Sequence, residues 1–75
     1  MNRARRAELN KIINTLRELR ESIDVVRYDE ETAMENMPES LQESERYDAM
    51  SEAVDAMSDA YDCIEEAIDR LEGAM

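Results

Sequence analysis

The sequence predicts an all-α protein: an antiparallel two-helix hairpin of coiled-coil type that dimerises into a four-helix bundle. Three observations carry this. Apolar side chains recur at alternating three- and four-residue spacings in both halves, the single proline (Pro38) lies midway between them, and the second half repeats a seven-residue unit four times. Seventy-five residues allow one domain, residues 1–75. Helix 1 is placed at about 3–36, the turn at about 37–43 and helix 2 at about 44–73.

In the first helix, Leu9, Ile12, Leu16, Leu19, Ile23, Val26, Glu30, Ala33 and Met37 keep the 3-4 alternation and define one stripe. Ile13 and Met34 broaden it, and Glu30 interrupts it. The helix should break near Asn36-Met37-Pro38, because the residue before a proline is pushed out of the α region. Ser40-Leu41-Gln42-Glu43 matches a capping box for the second helix, with a competing cap at Asn36-Met37-Pro38-Glu39 one turn earlier. A connection this short makes the helices antiparallel neighbours. The stripes Leu9–Met37 and Tyr47–Met75 each span about 42 Å at ~1.5 Å per residue. Equal rods pair along their full length, with Ile23 facing the Met57–Tyr61 region and Leu9 facing Leu71–Met75.

The second helix is more regular. Tyr47, Met50, Val54, Met57, Tyr61, Ile64, Ile68 and Leu71 form its large apolar columns. Ala49, Ala53, Ala56, Ala60, Cys63 and Ala67 form small columns beside them, and Asp48, Asp55, Asp62 and Asp69 recur every seventh residue. Large and small columns together cover about four of seven wheel positions, where an ordinary surface helix shows about three. One antiparallel partner covers the large stripe and leaves the small column over. Ala49, Ala53, Ala56, Ala60, Cys63 and Ala67 are therefore the expected dimer face. Self-association also suits a chain too short to bury a large core. With one cysteine and no histidine, neither an internal disulfide nor a structural zinc site can support it.

The net charge of −11 is unevenly placed. Residues 1–38 carry seven basic and eight acidic side chains, whereas residues 39–75 carry two basic and twelve acidic. An acidic ridge of Asp48, Glu52, Asp55, Asp59, Asp62, Glu66 and Asp69 is expected to meet a protein partner with a basic surface. Such a ridge repels nucleic acid and anionic membrane, so direct nucleic-acid binding is not expected there. The bland alternative is a solvated face that keeps the protein soluble. Mimicry of nucleic acid is the sharper one. A net −10 over 37 residues gives about one charge per 5.5 Å of helix, against one per ~1.7 Å of duplex and ~3.4 Å of single strand. Two ridges on one side of a dimer would reach about one per 2.8 Å, whereas ridges set back to back would not.

Other chemistry is thin. No histidine can serve as a base, no glycine-rich loop can hold phosphate, and no nucleophile stands beside a base, so no enzyme and no cofactor are expected. Aspartate pairs such as Asp55/Asp59 diverge along a straight helix and do not make a calcium cage, so no metal is expected. Cys63 has acidic neighbours, which disfavour a thiolate, and reads as a buried small residue. Glu30 reads as a buried carboxylate, as a register-setting residue bonded to Tyr47 or Arg46, or simply as an exposed residue where the bundle frays. Arg3, Arg5, Arg6 and Lys11 read either as an arm for RNA or DNA or as partners of Glu65, Glu66, Asp69 and Glu72 across the hairpin. No apolar run is membrane-spanning and no signal peptide is evident, so a cytoplasmic protein is expected.

The segment Asn36-Met-Pro-Glu-Ser-Leu-Gln-Glu-Ser-Glu-Arg46, followed by acidic heptads, resembles a family of short, uncharacterised acidic helical hairpins. Those are encoded by phages and mobile elements of Gram-positive bacteria. The resemblance implies a bacterial host cell and a small non-catalytic binder that blunts a host defence or nucleic-acid-handling protein, as anti-CRISPR proteins do. It implies no binding residues.

Overall fold

A computed structural model describes all residues, 1–75, and contains two long helices and no strand. Helix α1 runs Arg3–Glu35 and helix α2 runs Glu45–Gly73, joined by a turn that includes a short 3-10 segment, Glu39–Leu41. The helices lie side by side as an antiparallel hairpin, a rod of 59 × 14 × 12 Å.

Each helix start is held by a side chain. The Asn2 Oδ1 accepts from the Arg5 backbone N–H at 2.9 Å. The Ser44 Oγ accepts from the Tyr47 N–H at 3.2 Å while donating to the Leu41 carbonyl at 2.6 Å. The α2 cap is thus Ser44 and not Ser40, and Asn36 closes α1 instead of opening α2. Pro38 is the reason. Its fixed φ of −57° starts the 3-10 turn, in which the Leu41 N–H donates to the Pro38 carbonyl, and this consumes the Ser40–Glu43 stretch before α2 can begin.

The seam between the helices differs from the expected stripe by a rotation of α1. Leu9, Leu16, Ile23, Glu30 and Met37 lie on it and are half-buried, as expected. The second column is Ile13, Arg20, Arg27 and Met34, whereas Ile12, Leu19 and Val26 remain 47%, 51% and 57% exposed. Only Ile13, Val54 and Ile68 are buried. The rotation follows from α2, which offers Ser51, Ser58, Glu65 and Glu72 on one side of its buried Val54–Ile68 column. Arginines on α1 cover that side with their aliphatic stems and pair their heads at its rim. Arg20 lies over the Tyr61 ring, 5.7 Å from its centroid, and reaches Glu65 at 3.4 Å. Arg17 pairs with Glu72, and Arg27 pairs with Asp24 and Glu31 on its own helix.

These cross-helix pairs also mark the register, which the buried Ile13, Val54 and Ile68 hold. Arg20 opposite Glu65 and Arg17 opposite Glu72 leave the first turns of α1 beyond the region that α2 lines. Arg3, Arg5 and Arg6 are exposed, Lys11 pairs with Glu8 of its own helix, and none of the four reaches Glu65, Glu66, Asp69 or Glu72.

Candidate functional site

The two sides of the hairpin are chemically unlike. One side is charged and carries the Arg17, Arg20 and Arg27 ion pairs. Burial beside Arg20 pushes the Tyr61 phenol above its usual range; the Arg20 charge opposes this, and Glu65, Glu21 and Asp24 add to it. The hydrogen bond with Asp24 holds the Arg27 guanidinium even more firmly protonated than usual. The Arg20 Nε is buried without a partner, the one orphaned side-chain atom in the chain.

The other side is apolar and uncovered. An open groove of about 350 Å³ runs between the helices, lined by Leu19, Ser22, Ile23 and Val26 of α1 and by Met57 and Ile64 of α2. A smaller hollow at Lys11, Ile12, Thr15 and Leu16 continues it along α1. Beyond Met57 and Ile64, the small residues widen the face. Ala49, Ala53, Ala56 and Cys63 are exposed, and Ala60 and Ala67 are half-buried. Cys63, expected to be buried, is therefore open to solvent in the single hairpin. The reason is its heptad column, which lies beyond the alanines that flank the seam. The apolar face is larger than the alanine columns suggested. Ile12, Leu19 and Val26, expected on the hairpin seam, belong to it instead.

The acidic ridge lies elsewhere on α2. Asp48, Glu52, Asp55, Asp59, Asp62, Glu66 and Asp69 are all exposed. At ~100° per residue their columns sit roughly 150° around the helix from the Met57/Ala60 side. Glu66 alone among them is paired, with Arg70 at 2.5 Å. Seven carboxylates between Asp48 and Asp69 give about one charge per 4.5 Å, sparser than single-stranded nucleic acid.

Glu30 lies half-buried on the seam and bonds to neither Tyr47 nor Arg46. No cluster of three or more histidine, cysteine or carboxylate side chains could hold a metal ion, and no helix is long and apolar enough to cross a membrane. Sequence reasoning missed the part played by Arg20 and Arg27. The available signal was their seven-residue spacing in register with Ile13 and Met34. Comparison with protein-family models, curated proteins and solved structures gives no match, so the two-faced hairpin itself is what the functional reading rests on.

Proposed function

We propose that the chain is a non-catalytic protein-binding module that acts as a homodimeric four-helix bundle. Its apolar face holds two copies together, and its acidic ridge engages a protein with a basic surface. The observation that carries this reading is the uncovered apolar face. Only Ile13, Val54 and Ile68 of its 75 residues are buried, while Ile12, Leu19 and Val26 stay about half-exposed beside the seam. That face takes the place of the interior that the chain lacks.

Pairing the apolar faces turns the two ridges away from each other, so each ridge meets its partner alone. At about one charge per 4.5 Å, one ridge suits a basic protein surface better than a channel shaped for duplex DNA. Within this reading we place the protein in the bacterial cytoplasm as a phage or mobile-element product, with inhibition of a host defence or nucleic-acid-handling protein, in the manner of an anti-CRISPR, as its narrower form. The test is capture of a partner from host lysate by the wild type and by a variant with Asp55, Asp59, Asp62 and Glu66 changed to lysine. Loss of the captured protein with the variant supports the reading. Retention would make the ridge a merely solubilising face on a structural or regulatory dimer.

A second reading is favoured by one observation. Arg3, Arg5 and Arg6 sit in the first turns of α1, where the helix dipole opposes positive charge, and they have no carboxylate partner. An RNA or DNA contact through them would show as a gel shift abolished by changing the three arginines to alanine.

A further inference from the structure

We propose that the occupant of the Leu19–Val26/Met57–Ile64 groove is a second copy of the chain lying antiparallel, with the two turns at opposite ends of the bundle. This rests on the homodimer reading above and specifies its site and polarity. The apolar surface is there to be covered: Ile12, Leu19 and Val26 stay about half-exposed along the 59 Å rod, and only three of the 75 residues are buried.

Charge selects the polarity. The Arg20–Glu65 pair divides the rod near its middle. The free-end half, residues 1–20 and 65–75, holds seven basic and six acidic side chains, a net +1. The turn half, residues 21–64, holds two basic and fourteen acidic side chains, a net −12. A parallel dimer would set −12 beside −12 within about one Debye length, where screening is incomplete. The antiparallel dimer sets each −12 half beside a +1 half.

The same asymmetry runs along α1 alone. With two-fold symmetry about Leu19, α1 lies along α1 of the second copy. Arg5, about 40° around the helix from Leu19, then comes within a turn of Glu30 of that copy, which gives a partner to a cation that has none in the single hairpin. On the other side, α2 meets α2 through Ala60, Cys63 and Ala67, which lie level with Leu19. Small side chains there let the axes approach to the short end of the usual 8–10 Å.

The experiment uses the full chain with Cys63→Ser and Ser40→Cys, spin-labelled at position 40 in the turn. The spin–spin distance is measured by pulsed dipolar spectroscopy, alongside sedimentation equilibrium on the same sample. The antiparallel dimer predicts a mass twice that of the chain and a distance approaching the 59 Å length of the rod. A dimeric mass with labels within about 20 Å, two interhelical spacings, would overturn the polarity and leave the homodimer standing. A monomeric mass would overturn both. The groove is tested separately by Leu19→Glu, a half-exposed position whose substitution leaves the hairpin seam intact. A helical monomer is expected, and a Leu19→Glu protein that still dimerises would show that the copies meet elsewhere.

Discussion

Two adjacent isoleucines provide a sharp test of how α1 is rotated. Ile13 is 2% exposed and Ile12 is 47% exposed. Truncating either to alanine removes three carbons, worth about 2.4 kcal/mol at ~0.8 kcal/mol per buried methylene. Ile13→Ala should lose this in full. The residual cavity adds little, because a two-helix rod collapses more readily than a closed core, so a loss of about 2–3 kcal/mol is expected. Ile12→Ala in the isolated hairpin should lose about half of the transfer term, roughly 1 kcal/mol. Urea denaturation followed by helical circular dichroism measures both, repeated over a wide range of protein concentration because dimerisation makes the midpoint concentration-dependent. The Ile12→Ala deficit should shrink on dilution, since part of it belongs to the face between copies, and the Ile13→Ala deficit should persist. If Ile12→Ala costs as much as Ile13→Ala at every concentration, α1 is rotated the other way and the apolar face described above does not exist.

Three further outcomes follow from the same structure. Ser44→Ala should cost about 1 kcal/mol through loss of the α2 cap, whereas Ser40→Ala should change stability by less than ~0.5 kcal/mol, both by urea denaturation. Arg17 and Glu72 are about half-exposed, so a double-mutant cycle on the pair should give a coupling of about 0.2–1 kcal/mol that fades in high salt. Tyr61 should ionise above the ordinary tyrosine range, and Tyr61→Phe should remove that late transition from an ultraviolet pH titration. Because its folded value is raised, its share of stability is complete below the unfolded pKa of about 10 and is lost as pH rises through the folded value.

The helices and their pairing were legible because the heptads are regular and the proline is single. What the binary pattern misjudged was the identity of one column. Leu16 and Ile23 have apolar neighbours on both flanks, Ile12 and Leu19 on one and Ile13 on the other, so the pattern admits two seams. Arg20 and Arg27 count as polar in such a pattern, yet their stems cover α2 and their heads find Glu65, Asp24 and Glu31. Recognising that choice requires knowing that Ser51, Ser58, Glu65 and Glu72 of α2 share one side, which is a tertiary fact. The cap moved from Ser40 to Ser44 for a local reason, the 3-10 turn after Pro38. The N-terminal arginines missed their expected carboxylates because, in the register that buries Ile13, Val54 and Ile68, Glu65 and Glu72 meet Arg20 and Arg17 further along α1. The acidic ridge was readable from its period, and every member is exposed; no period names the molecule that meets it.

The central claim is that the uncovered face of the hairpin is closed by a second copy. Sedimentation equilibrium of the wild-type chain at micromolar concentration tests it most directly. The account predicts a mass twice the 8.7 kDa of the chain, falling to a single chain for Leu19→Glu. A wild-type chain that sediments as a folded 8.7 kDa monomer across that range would contradict it.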